Sequence, residues 1–341
     1  MAPFRVAARR AAGPCSPGAA GADGTSSTVA LLLQKVGSDV RVAFLGLGTM
    51  GYPMAGHLAR AGFDLAVYNR TAATAQHFVA EFAGRVEPPT PTPAAAAAGA
   101  DVVCLCVGAD DDVREVLVGP QGALGALAAG AVIVDHTTTS ARLAVEIAEQ
   151  AQARGVGFVD APVSGGQAGA QAGRLSVMCG GAVATIERVR PVLAAYGTTI
   201  TRIGPVGTGQ LTKMVNQILV AGAIEGAAEA LNFAMAAGLD LAQVLPAVSG
   251  GAASSWYLQN RAETMIRDEF DFGFAVDWMR KDLRICLDEA TSRGIPVPLT
   301  TLTESDLADA QAHGDGRRDA TAVIRLRRLA TRAPADEANP A

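Results

Sequence analysis

The chain has 341 residues, half of them apolar and only 18% charged, with a formal net charge of −5. That is enough chain for two cores, and it offers no basic field for nucleic acid or an anionic membrane surface. The five cysteines, at positions 15, 104, 106, 179 and 286, form no CxxC pair and no Cys/His spacing suited to zinc, so no metal site is read here. They read as small core hydrophobes in a reducing cytosol.

Residues 1–38 are rich in Arg, Ala, Gly, Pro and Ser without hydrophobic periodicity, and read as a disordered extension. Three arginines by position 10 and no acid before Asp23 give it a weak likeness to a transit peptide. It lacks the long apolar core of a secretory signal, and a cytoplasmic location is expected.

A β-branched and apolar strand over 40–45 runs into Gly46-Leu47-Gly48-Thr49-Met50-Gly51, a helix follows over 49–61, and a second strand over 64–68. This is G-x-G-x-x-G between strand and helix within about 30 residues, the setting in which the motif binds a dinucleotide. The first glycine allows the turn, the second lets a pyrophosphate approach, and the third lets helix and strand pack. The second strand ends at Tyr68-Asn69-Arg70-Thr71. An acid here would hold a ribose 2′-hydroxyl; an arginine pairs with a 2′-phosphate instead, so NADP(H) is expected over NAD(H).

Alternating strands and helices continue. Residues 101–107 form a buried strand carrying Cys104 and Cys106, with Val107 at its cofactor end. Asp110, Asp111 and Asp112 suit the start of the next helix. A strand over 131–135 leads to His136-Thr137-Thr138-Thr139-Ser140. Hydroxyls at the carboxyl end of such a strand lie where open α/β sheets bind ligands; His136 reads as structural. After a strand over 156–159 comes a glycine-rich run containing Ser164, Gly165 and Gly166, whose exposed amides suit a small anion. Strands over 174–178 and 199–203 flank a helical stretch, 185–195, interrupted by Pro191.

One long helix is expected over 210–237, free of proline and stopped by Gly238. Lys213, Asn216 and Gln217 fall at i, i+3 and i+4, on one face. Its apolar middle and Gly222-x-x-x-Gly226 imitate a membrane span, but Glu225 and Glu229 fall inside that window and would be costly in lipid. A lysine near a helix start opposes the dipole, so it needs another reason to be there. Beyond Gly238 the chain reads as helical to about residue 331, and 332–341 as a disordered tail. The expected fold is α/β. A Rossmann domain over 39–204 and an all-α substrate and oligomerisation domain over 205–331 are joined by the long helix.

Four stretches resemble the β-hydroxyacid dehydrogenase family. They are GLGTMGYPMAGHL at 46–58, DAPVSGGQAGAQAGRLSVMCGG at 160–181, GTGQLTKMVNQ at 207–217 and KDL at 281–283. The resemblance covers roughly residues 40–330 and implies an active site in the cleft between the two domains. It implies Lys213 as the catalytic lysine and Asn216 or Gln217 as the substrate-holding amide. It also implies Ser164, Gly165 and Gly166 at the substrate carboxylate, Thr138 near the nicotinamide, and Lys281 on the cofactor. A homodimer or homotetramer is implied as well. Two departures stand out: Asp135-His136-Thr137-Thr138 where the family reads Asp-Met-Ser-Thr, and Gly108 where many members have proline.

The function so implied is reversible hydride transfer between a small 3-hydroxyacid and its semialdehyde, with Lys213 as general acid and base. The competing readings are an imine reductase, which typically lacks that lysine, a 6-phosphogluconate dehydrogenase, which carries a histidine shortly before it, and a non-catalytic NADP-binding module.

Overall fold

The computed structural model describes residues 40–332; the extension over 1–38 and most of the tail lie outside them. The first half is a twisted sheet with helices on both faces. In chain order it runs β1 (Arg41–Leu45), α1 (Gly51–Ala61), β2 (Asp64–Tyr68), α2 (Ala72–Glu81), α3 (Pro93–Ala97), β3 (Val102–Leu105) and α4 (Asp110–Val118). Then come β4 (Val132–Asp135), α5 (Ala141–Gln152), β5 (Gly157–Asp160), β6 (Val163–Ser164), α6 (Gly166–Gln171), β7 (Leu175–Gly180), α7 (Val183–Leu193) and β8 (Gly197–Gly204).

The strand order is β2-β1-β3-β4-β5-β7-β6, with β8 beside β7. The first five strands are parallel, which is why β1, β3 and β4 are apolar along nearly their whole length: helices cover both faces. Phe44, Met54, Leu65, Phe78 and Tyr196 pack on one face, Leu45, Leu105, Leu117, Ile133 and Leu143 on the other. The order reverses between β1 and β3, and the crevice at their carboxyl ends is where such sheets take a ligand.

The second half is helical: α8 (Thr208–Ala236), α9 (Leu241–Ser249), α10 (Trp256–Ile266), α11 (Val276–Ser292), α12 (Pro298–Ala310) and α13 (Ile324–Arg332). At about 1.5 Å per residue the 29 residues of α8 span roughly 43 Å. By length and composition α8 passes as a membrane span, yet it is the core helix of this half. Ala221, Ile224, Ala228 and Leu231 bury against Met265, Met279, Leu283 and Leu307. Glu225 is buried and paired with Arg327 at 2.7 Å. Gly238 takes the left-handed φ of 69° that stops the helix.

Two segments differ from their sequence reading. The glycine-rich run after Ser164 is not an open loop but folds into α6 from Gly166 to Gln171. Helix α7 runs through Pro191 without a break, the proline falling in its last turn.

Candidate active site

The glycine turn is shaped by what a side chain would meet. A Cβ on Gly46 would lie 2.3 Å from the Cys106 carbonyl oxygen, and one on Gly51 would lie 2.0 Å from the Gly46 carbonyl oxygen. A Cβ on Gly48 would meet nothing within 4 Å, so that side of the turn is open to an incoming group. The N–H groups of Gly48, Thr49, Met50 and Gly51 donate to no described residue. Four donors at the entry to α1 that no described residue takes, with room above the middle glycine, fit the pyrophosphate of a dinucleotide. Leu47 differs: its N–H is taken by Asn69 Oδ1 at 2.9 Å, and Asn69 Nδ2 bonds the Thr71 carbonyl at 3.1 Å. Asn69 thus braces the end of β2 against the glycine turn. Beside it Arg70 is exposed.

On the outer side of this turn a cavity of about 450 Å³ lies between α1 and α6, lined in part by Gly48, Thr49, Tyr52, Gln167 and Gln171. It does not reach Lys213, but it gives the glycine turn and the helix after Ser164 a common wall.

The hydroxyl run after β4 is mostly committed to structure. Thr137 Oγ1 takes the Val107 N–H at 3.1 Å, and Ser140 Oγ caps α5 through Leu143 N–H. Thr139 Oγ1 is buried without a partner among the described residues. Thr138 alone of the four keeps a partly exposed hydroxyl that bonds no described residue. His136 is fully structural. Its Nδ1 lies 2.7 Å from the Ala161 carbonyl and its Nε2 2.9 Å from Tyr196 Oη. A carbonyl only accepts, so Nδ1 carries the proton and Tyr196 donates to Nε2. Burial pushes its pKa down to about 4, and the ring is neutral.

Asp160, at the end of β5, is completely buried, and its carboxylate takes the N–H groups of Gly207 and Gln210 at 2.9 Å each. It caps α8 from a neighbouring strand. Burial pushes its pKa up to about 6, against the opposing pull of those N–H donors. Gln210 in turn accepts from Thr139 N–H at 3.1 Å and donates to the Thr137 carbonyl at 2.7 Å. The first turn of α8 is therefore clamped to the carboxyl ends of β4 and β5.

Lys213 lies one turn further on, and its ammonium meets the Val163 carbonyl at 3.0 Å. It is 8% exposed. Desolvation lowers its pKa, opposed by the Asp282 carboxylate and reinforced by Lys281. The residue after Val163 is Ser164, whose Oγ donates to Asn216 Oδ1 at 3.0 Å. Asn216 Nδ2 bonds Gln217 Oε1 at 2.8 Å, and Gln217 Nε2 bonds Asp282 Oδ2 at 2.7 Å. The two amides have separate places: Asn216 faces the serine loop and Gln217 is buried against α11. Gly165 and Gly166 hold φ of 131° and 59°, and Gly166 opens to free space.

From α11, Lys281 Nζ crosses to the carbonyls of Gly108 (3.1 Å) and Thr138 (2.7 Å) and pairs with Asp282 at 3.0 Å. Cys106, beyond β3 and half-buried, is not a plain core residue like Cys104. Burial pushes its pKa up to about 12, and Asp135, Lys281 and Lys213 all act on it electrostatically. Sequence reasoning gave no role to Asp160, Gln210 or Asp282. An acid ending a buried strand, and one following Lys281 inside an amphipathic helix, were the signals available.

Known proteins are similar along nearly all of this region. Residues 41–204 match the NAD binding domain of 6-phosphogluconate dehydrogenase, and residues 207–327 the NAD-binding domain of NADP-dependent 3-hydroxyisobutyrate dehydrogenase. An uncharacterised oxidoreductase of Shewanella frigidimarina is 50% identical over 83% of this chain and 97% of its own. A probable 3-hydroxyisobutyrate dehydrogenase-like mitochondrial protein of Arabidopsis thaliana is 38% identical over 84% and 85%. The crystal structure of a 3-hydroxyisobutyrate dehydrogenase from Salmonella typhimurium superposes with a TM-score of 0.77 at 30% identity, over 84% of this chain and 100% of that one.

Proposed function

The chain belongs to the β-hydroxyacid dehydrogenase family, in the group of the 3-hydroxyisobutyrate and 6-phosphogluconate dehydrogenases, and from that membership we propose that Lys213 is its proton-transfer group and residues 164–166 its carboxylate subsite. It is an NAD(P)-dependent dehydrogenase acting on a small hydroxyacid or the matching semialdehyde. The observation that carries the finer reading is the meeting of a buried lysine with the serine loop, Lys213 on the Val163 carbonyl and Ser164 on Asn216.

When bound, the nicotinamide cofactor accepts the hydride in oxidation and supplies it in reduction. Lys213 handles the proton. Among the described residues its Nζ makes one hydrogen bond, to Val163, which leaves room for a substrate oxygen. In oxidation the neutral amine takes the hydroxyl proton. In reduction the ammonium returns it and steadies the developing alkoxide. Burial favours the neutral amine. Ser164 Oγ and the open backbone at Gly166 receive the substrate carboxylate, and Asn216 holds the serine hydroxyl in place. Thr138, whose hydroxyl bonds no described residue, faces the nicotinamide end, and Lys281 fixes the Thr138 and Gly108 carbonyls around it. Arg70 binds a 2′-phosphate, so NADPH is preferred to NADH. Imine reduction is not favoured, because it has no need of a buried lysine at this position.

The test is a panel of semialdehydes and 3-hydroxyacids run with both cofactors on the wild type and on Lys213→Ala. The variant should lose about two orders of magnitude or more in kcat and keep its NADPH affinity. Near-wild-type turnover by Lys213→Ala, or a wild-type preference for cyclic imines, would remove the assignment.

A further inference from the structure

The arginine at the end of β2 already has a partner. Arg70 Nη1 lies 3.1 Å from Asp112 Oδ1, and its side chain makes no other ion pair or hydrogen bond among the described residues. Asp112 is the third residue of α4, and its second oxygen takes the Ala109 N–H at 3.1 Å. The carboxylate is therefore held on the loop after β3 rather than loose in solvent. Gly108 permits this, since a Cβ there would lie 2.3 Å from Asp112 Oδ2. The other two acids of the run are engaged elsewhere, Asp110 with Ser140 and Asp111 with Arg114.

Strands β2 and β3 flank β1, so the Arg70–Asp112 pair bridges the carboxyl end of β1, where the glycine turn begins. A dinucleotide seated on that turn lays its adenosine ribose against the end of β2, within reach of both charges. We infer that Asp112 is a cofactor-specificity residue: it is the counter-ion that Arg70 exchanges for a 2′-phosphate, and it limits how far the protein favours the phosphorylated dinucleotide. The inference rests on the reading of Arg70 given above.

The exchange is physically easy. Arg70 is 83% exposed along its side chain, and exposed ion pairs are weak. A phosphate offers the guanidinium two oxygens and more charge than one carboxylate. Yet Asp112 remains anchored by Ala109 after Arg70 has left it, and its negative charge then opposes the incoming dianion. A bare 2′-hydroxyl meets no such opposition. For that ligand Asp112 is an acceptor, the part an acid at the end of β2 plays in enzymes that use NAD.

The experiment titrates the cofactor-free protein calorimetrically with 2′,5′-ADP and with 5′-ADP, so that only the 2′-phosphate differs. Asp112→Asn keeps an oxygen for the Ala109 N–H and removes the charge. It should tighten 2′,5′-ADP by roughly fivefold, the scale of one exposed ion pair, and leave 5′-ADP unchanged or weaker. The gain should vanish in an Arg70→Ala background. Asp112→Ala, which also gives up the Ala109 contact, should move 2′,5′-ADP in the same direction. Weaker 2′,5′-ADP binding by Asp112→Asn, an equal shift for both ligands, or a gain that survives without Arg70 each overturns the inference. If Arg70→Ala weakens 2′,5′-ADP while Asp112→Asn changes nothing, only the inference falls. If Arg70→Ala leaves 2′,5′-ADP untouched, the reading of Arg70 falls with it.

Discussion

The Asp160 carboxylate holds the backbone N–H of Gln210 at 2.9 Å. One buried side chain at the end of β5 thus sets the first turn of α8, and with it the position of Lys213 three residues on. The serine loop leaves the same strand end. Lys213 and the serine loop, the proton-transfer group and carboxylate subsite proposed above, are therefore placed from a single anchor.

Lys213 should impose opposite pH dependences on the two directions. Desolvation lowers its pKa below the ordinary lysine value of 10.5, so kcat/KM for oxidation should rise, and that for reduction fall, through an inflection below that value. The same shift bears on stability. The folded state binds fewer protons than the unfolded between the lowered pKa and 10.5, so below that window a buried ammonium is penalised in full. Lys213→Met should be inactive, yet unfold at a temperature no lower than the wild type at pH 7. A lower melting temperature would mean that the Val163 hydrogen bond outweighs the buried charge.

The glycine turn separates folding from binding. Gly51→Ala places a methyl 2.0 Å from a backbone oxygen and should cost about 1–3 kcal/mol or more of stability. Gly48→Ala meets nothing, so it should melt like the wild type and bind NADPH less tightly. Differential scanning calorimetry with a fluorescence titration checks both; unchanged NADPH affinity in Gly48→Ala would place the pyrophosphate elsewhere.

Asp135 is a buried liability. Burial pushes its pKa up to about 7 from 3.8, with Asp160 and Asp110 adding to the rise. The folded state then binds more protons than the unfolded between those two values, so stability falls as pH rises through the window and the penalty is complete above pH 7. Asp135→Asn, which can still accept the Thr137 N–H now held at 2.8 Å, should raise the melting temperature by a few degrees at pH 8. It should change nothing below pH 4. A wild type that is the more stable at pH 8 would refute this.

Self-association is expected through α8. Val215, Leu219 and Phe233 share one face of the helix, and the last two are 70% and 71% exposed. Sedimentation should show a dimer or larger species at micromolar concentration, and Leu219→Glu should weaken it. A wild type that sediments only as monomer would contradict the expectation.

Much of this was legible in the residues. The strand–glycine turn–helix unit, β2 from Asp64 to Tyr68 and the lysine on a long helix all announce themselves through local patterns of period and spacing. What was not legible depends on partners distant in sequence. Helix α6 hides behind its glycines, and its last carbonyls, those of Ala170 and Gln171, are held by His57 Nε2 at 3.0 and 3.1 Å. The choice between Asn216 and Gln217 is made by Ser164 on one side and Asp282 on the other. Asp110, Asp111 and Asp112 look alike as a helix start, and only their separate partners tell them apart.

The reach of Lys281 onto Gly108 and Thr138 bears on which substitutions this chain can absorb. Both acceptors are main-chain carbonyls, which no substitution deletes. A change of side chain at Thr138 therefore leaves the link between the sheet and α11 in place. Side-chain variation at that position is thereby uncoupled from the grip of α11 on the segment after β4.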